Sequence, residues 1–118
     1  MTRKTEDLAR ISAFIKALSE LTNDSTMPSQ QQLLLLSLAV HGHLNQQAIE
    51  DYTGVKRSSN SRNIAKLGMG ERPLEAPGPG YVQSEEDLRN RSAKIVSLTP
   101  KGRALIDEAW ERAFGPNS

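Results

Sequence analysis

The sequence predicts a mainly α fold with a small β-hairpin, a winged helix-turn-helix core with flanking N- and C-terminal dimerisation helices. Three observations predict it. Apolar residues recur at helical spacing in the segments either side of Asn23-Asp24-Ser25-Thr26 and again near the C-terminus. Gly54 separates two short helical segments, the second of which is basic and hydroxylic: Arg57-Ser58-Ser59-Asn60-Ser61-Arg62-Asn63-Ile64-Ala65-Lys66-Leu67. A basic stretch with Arg89, Arg91 and Lys94 then feeds Ile95-Val96-Ser97-Leu98, an extended segment, and Thr99-Pro100, a helix start.

The elements follow in order. Leu8, Ile11, Ile15 and Leu18 recur at three- and four-residue steps, which predicts a helix over 5–22. Pro28 suits the first turn of a second helix, where its missing N–H costs nothing. That helix runs through Val40 and is apolar nearly all round, so it is expected to be the central one. Gly42 is its expected left-handed cap. Leu44 is expected to make a one-residue strand contact. Asn45 is the N-cap of a third helix, Gln46 to Thr53, with Ala48, Ile49 and Tyr52 inward. Gly54 allows a tight turn into a fourth helix over 57–68. Gly68 to Gly80, rich in Gly and Pro, reads as an irregular connection. Tyr81 to Gln83 starts a strand, Ser84 to Asp87 begins the loop at the wing tip, and Ala93 to Leu98 returns. Thr99 caps the last helix, over 100–114, with Leu105, Ile106, Ala109, Trp110 and Ala113 as its apolar stripe. The expectation is one domain over 1–118, with 28–98 as its core.

The net charge of +1 says little, but its distribution says more. Residues 1–53 carry four Lys/Arg against six Asp/Glu, residues 54–103 ten against five, and residues 104–118 one against three. The surplus of positive charge lies where the fourth helix and the hairpin lie, as a duplex-binding surface requires. A solvated mixed-charge face is the alternative.

Several classes are excluded. With no cysteine there is neither a disulfide framework nor a thiolate zinc site. No apolar run approaches the ~20 residues of a membrane span. A soluble, cytoplasmic protein is expected. His41 and His43 lack a third ligand nearby, so no metal is expected. Pro77-Gly78-Pro79-Gly80 is not a phosphate cradle, because two of its four residues lack an N–H. No arrangement of carboxylates and serines forms an active site, so neither enzymatic activity nor a cofactor is expected.

The expected function is sequence-specific binding of double-stranded DNA. Ser58, Ser59, Ser61, Arg62 and Lys66 span the surface of the fourth helix, the recognition helix. Hydroxyls near a helix N-terminus can donate to phosphates, and arginine can read guanine through two hydrogen bonds. Lys56 and Arg57 precede that surface and suit phosphate better than bases. Arg89, Arg91 and Lys94 supply the wing contacts. The alternative for these wing cations is pairing with Glu85, Glu86 or Asp87. The apolar stripes of Leu8, Ile11, Ile15 and Leu18 and of Leu105, Ile106, Ala109 and Trp110 exceed what one small domain can use. They are the expected interface of a two-fold homodimer. Its recognition helices would meet successive major grooves of a pseudo-palindrome, ~34 Å apart.

From Met27 to Ala109 the chain resembles the MarR family of winged-helix transcription regulators. The resemblance is carried by Leu33–Val40 followed by His41-Gly42-His43-Leu44, by Gln47-Ala48-Ile49-Glu50-Asp51-Tyr52-Thr53-Gly54, and by the thirteen-residue spacing from Gly54 to Leu67. Its most specific part is Arg91-Ser92-Ala93-Lys94-Ile95-Val96-Ser97-Leu98-Thr99-Pro100-Lys101-Gly102. The resemblance implies a regulator that occupies an operator, with Arg91 in the minor groove. Narrow A·T-rich grooves attract such a side chain. It also implies a small-molecule effector between the dimer helices and the DNA-binding lobe, with little room where the C-terminal helices are short. Three features depart from the family pattern. Asn90 stands where an acid usually precedes the wing arginine, leaving Asp87 as a substitute. Asn60 and Asn63 stand where inward residues are usually apolar. The Gly68–Gly80 connection is long. Two other readings share the fold: a replication accessory protein of a phage or plasmid, and a protein-interaction module that has lost DNA binding.

Overall fold

A computed structural model describes residues 2–69 and 78–116, apart from the side chains of residues 90–93. Its elements are α1 (Arg3–Thr22), α2 (Ser29–His41), β1 (Leu44–Asn45), α3 (Gln46–Thr53), α4 (Arg57–Leu67), β2 (Val82–Asp87), β3 (Asn90–Leu98) and α5 (Pro100–Phe114). The strands form one antiparallel sheet in the order β1-β3-β2. The mainly α winged-helix architecture expected from the sequence is present. Most of the Gly68–Gly80 connection, including Gly70, Pro73 and Pro77, lies outside the described residues.

The chain divides into two compact units, Pro28–Arg103 and Met1–Met27 with Ala104–Ser118. In the first unit Leu34, Leu35 and Leu38 of α2 are buried with Ile49, Ile64, Leu67, Val82 and Val96. The central position expected of α2 holds for this face only. Leu33, Leu36 and Val40 lie on the opposite face and are exposed, because the buried stripe spans less of the circumference than the apolar composition suggests. In the second unit Phe14, Ala17, Leu18, Leu105, Ile106 and Ala109 are buried, and Arg112 of α5 pairs with Glu20 of α1 at 3.6 Å.

Several local expectations are met by specific bonds. Asn45 Oδ1 accepts from the Ala48 N–H at 2.9 Å and so caps α3. Gly54 has φ 68° and ψ 15°, the left-handed conformation that ends α3. Others are corrected. Pro28 is the N-cap of α2, one position earlier than the first turn. Gly42 has φ 83° but ψ −90°, outside the left-handed helical region, although its N–H still bonds Leu38 O at 2.8 Å. Leu44 and Asn45 make a two-residue strand, paired with Val96 and Ile95. Tyr52, expected inward, is 53% exposed; its ring stacks on His41 with centroids 3.8 Å apart. Thr53 takes the buried place beside Ile49 and donates its hydroxyl to Ile49 O at 2.7 Å.

The hairpin is longer than the apolar pattern indicates. Ser84 to Asp87 continues β2 instead of opening a loop, and β3 starts at Asn90. Gln83 faces Ser97 and Glu86 faces Lys94, with a register shift between Glu86 and Asp87. Gln83 to Glu86 are all exposed, so both faces of the wing meet solvent there, and pairing with β3 is what makes these polar residues a strand. The turn is Leu88–Arg89, closed by the Arg89 N–H donating to Asp87 Oδ1 at 2.9 Å.

The start of α5 explains Thr99-Pro100-Lys101-Gly102. Thr99 Oγ1 accepts from the Gly102 N–H at 3.0 Å and donates to Gly80 O at 2.6 Å. Lys101 Nζ donates to Pro79 O at 2.7 Å. A Cβ on Gly102 would lie 2.0 Å from Tyr81 O, so only glycine lets the two backbones approach this closely. Helix propensity alone would favour Gly102→Ala by ~1 kcal/mol. The contact reverses the sign, and we expect a net destabilisation of about 1–3 kcal/mol in urea unfolding. An unchanged or raised midpoint would mean that the backbones have room to spare.

Candidate nucleic-acid interface

α4 is held at an angle to α3 by a small polar knot. Thr53 Oγ1 accepts from the Val55 N–H at 3.2 Å. Asn60 Nδ2 donates to Val55 O at 2.9 Å and to Thr53 Oγ1 at 3.4 Å. Asn60 is fully buried, and its Oδ1 has no hydrogen-bond partner among the described residues. Asn63, also buried, donates to Gln30 Oε1 of α2 at 3.3 Å. The two asparagines therefore do face inward, and α4 keeps three turns. They hold α4 by hydrogen bonds to the turn and to α2.

A helix advances about 100° per residue. With Asn60, Asn63, Ile64 and Leu67 inward, the outward arc carries Ser58, Ser61, Arg62 and Lys66, all exposed. Ala65 lies within that arc but is half-buried. Ser59 is half-buried at the edge. Lys56 is the N-cap residue and is exposed, but no side chain within the helix caps α4. Its first N–H, from Arg57, is taken instead by Glu50 of α3, with Oε1 at 3.0 Å. The Arg57 guanidinium lies 3.5 Å from Glu50 Oε2. Among the described cations of α4 and the wing, Arg57 is thus set apart, because its charge is already opposed.

In the wing, Arg89 is exposed in the turn and Lys94 is exposed on β3. Arg91 is on β3, not in a loop, and its side chain lies outside the described residues, as does that of Asn90. Asp87, the candidate substitute for a wing-base acid, is engaged by the Arg89 N–H. Between α4 and the hairpin lies a cleft of about 560 Å³. Ser61, Ile64 and Ala65 form one wall, and Gln83, Ser84 and Lys94 the other. His41 belongs to the stack with Tyr52, and no group of three His, Cys, Asp or Glu among the described residues could hold a metal ion. No helix among them is long and apolar enough to cross a membrane.

Of the expected dimer residues, Leu8, Ile11, Ile15 and Trp110 are exposed at 56%, 51%, 44% and 41%. Leu18, Leu105, Ile106 and Ala109 are buried within the single chain. The apolar stripe of α1 therefore differs in burial along its length, with Leu18 buried and Leu8, Ile11 and Ile15 exposed. Trp110 stacks on Phe114 with centroids 4.0 Å apart.

No protein-family model and no curated protein matches the sequence. Solved structures do match. A transcriptional regulator of Thermotoga maritima superposes with a TM-score of 0.67 at 18% identity, over 95% of this chain and 74% of that one. A MarR variant from E. coli, complexed with operator DNA, gives 0.63 at 14% identity, over 97% and 71%. The PcaV regulator of Streptomyces coelicolor, complexed with its natural ligand, gives 0.62 at 19% identity, over 80% and 61%. The fold is that of the MarR-like winged-helix regulators. The chain spans 61% of the PcaV regulator's length. Within the MarR-like fold, the residues that sequence reasoning missed are Glu50 and the hydrogen-bonding role of Asn60. Both act across the α3–α4 turn, where single-helix periodicity carries no signal.

Asn60→Ala is expected to cost about 1–3 kcal/mol of stability, through lost hydrogen bonds and a small cavity. Chemical denaturation reads it. A change below a few tenths would show that the turn holds its angle without Asn60.

Proposed function

We propose that this protein is a double-stranded DNA-binding transcription regulator, acting as a homodimer on a pseudo-palindromic operator. The observation that carries the reading is the outward arc of α4, with Ser58, Ser61, Arg62 and Lys66 beside a hairpin bearing Arg89, Arg91 and Lys94. The likeness in fold to regulators, one of them complexed with operator DNA, supports it.

In this reading α4 enters the major groove. Arg62, in the middle of the helix, faces base edges, where two hydrogen bonds to guanine discriminate by about 1–3 kcal/mol. Lys56, Ser58, Ser59 and Ser61 line the approach to one phosphate strand, and Lys66 sits near the far end. Arg89, Arg91 and Lys94 reach the flanking backbone or minor groove from the wing. Leu8, Ile11, Ile15 and Trp110 meet their equivalents in a second copy, which sets the spacing of the two recognition helices. The protein acts by occupying DNA, without chemistry and without a cofactor. A small-molecule effector, such as the natural ligand complexed with the PcaV regulator, would act by changing that spacing.

Selection from a random-duplex library tests the reading. The wild type is expected to enrich a pseudo-palindrome, with Arg62→Ala and Arg91→Ala each weakening binding about tenfold or more, consistent with ~1–3 kcal/mol per specific contact. Enrichment of no sequence would overturn it. Light scattering at micromolar concentration is expected to give the mass of two chains, and Ile11→Glu that of one. A wild-type mass of one chain would remove the dimer.

A further inference from the structure

Glu50 occupies a place at α4 that a DNA phosphate would otherwise suit. The first turn of a helix exposes N–H groups without intrahelical partners, and these attract anions. In α4 the first of them, the Arg57 N–H, is bonded to Glu50 Oε1 at 3.0 Å. The other carboxylate oxygen lies 3.5 Å from the Arg57 guanidinium. The Glu50 side chain is 29% exposed and that of Arg57 55%, so the pair sits at the surface but is anchored from the α3 side. One side chain, reaching across the α3–α4 turn, therefore caps the recognition helix and cancels its first cation.

We propose that Glu50 is a positioning residue that withholds Arg57 from the DNA backbone. It keeps non-specific affinity low, so that binding depends on side chains farther along α4. The inference rests on the DNA-binding reading above. It assigns Arg57 a role different from that of Lys56 beside it, which has no carboxylate partner among the described ion pairs. Its physical basis is the cost of competition. A phosphate that approaches Arg57 must displace a carboxylate already in contact, and that carboxylate repels it.

Glu50→Gln separates the two jobs of this side chain. The amide oxygen can still accept from the Arg57 N–H, so the cap persists, while the charge that holds the guanidinium is gone. Arg57 is then free to neutralise a phosphate. Affinity for a fixed duplex is measured against salt for wild type, Glu50→Gln, and Glu50→Gln combined with Arg57→Ala. Each phosphate neutralised adds about 0.9 to the slope of log affinity against log salt. The expected result is a slope steeper by about 0.9 per protomer in Glu50→Gln, returning to the wild-type value in the double variant. An unchanged slope in Glu50→Gln overturns the proposal. So does a steeper slope that survives Arg57→Ala, because the effect would then come from lost repulsion and not from release of Arg57. Glu50→Ala removes cap and charge together. It is expected to give the same steeper slope with a lower thermal midpoint, which keeps the test intact if either variant folds poorly. A wild type with no salt-dependent affinity for any duplex overturns the DNA-binding reading itself, which is distinguishable from either failure above.

Discussion

The backbone of Tyr81 ties three elements together. Its N–H donates to Leu67 O, the end of α4, at 2.7 Å. Its carbonyl accepts from the Thr99 N–H at 3.0 Å, where β3 hands over to α5. The same carbonyl lies where a Cβ on Gly102 would be, so the first turn of α5 packs directly on it. Gly80 adds a second bond, to Gly68 O at 2.8 Å. In the proposed reading, α4 is useful only if the wing stays at a fixed distance from it. Here that distance is set by main-chain bonds and by the absence of two methyl groups. A Cβ on Gly78 would fall 2.4 Å from Gly68 O, so the chain leaving α4 and the chain entering β2 are in contact at backbone level. Main-chain contacts of this kind tolerate little adjustment, which makes the junction stiff.

The other end of α4 is fixed in a different way. Hydrogen bonds among Thr53, Val55 and Asn60 close the turn after α3, and Glu50 caps the helix from outside. Polar closure costs more to assemble than an apolar contact, because each buried group needs a partner with good geometry. In return, the bonds are directional and define one angle between the two helices. Asn63, bonded to Gln30, extends the same logic to α2.

Much of this was legible in the sequence, for identifiable reasons. Asn45, Gly54, Thr99 and Pro100 are residues whose local chemistry restricts the backbone, and each stands where expected. The expected helix over 57–68 is Arg57–Leu67 in the structure. The wing strands were not legible in full, because Ser84-Glu85-Glu86-Asp87 has the composition of a loop and becomes a strand only by pairing with β3. Tyr52 was misplaced because its aromatic ring suits a core, and only the position of His41 shows that it has an outside partner. At the interface, the cations were visible as residue types. That Arg57, among the described ion pairs, is the cation of α4 opposed by a carboxylate depends on a pairing across a turn, seven positions apart, which no periodicity reveals.

The acids of β2 deserve a different reading from electrostatics alone. β2 is the outer strand of a sheet in the order β1-β3-β2, so one row of its backbone N–H and C=O groups faces no neighbour within the sheet. Such an edge can template addition of another chain. Glu85, Glu86 and Asp87 put like charges along it. A second copy approaching edge to edge would bring its own acids into register with these. The acids of β2 thus favour a hairpin that stays two-stranded at high concentration, and sheet growth is discouraged at this edge.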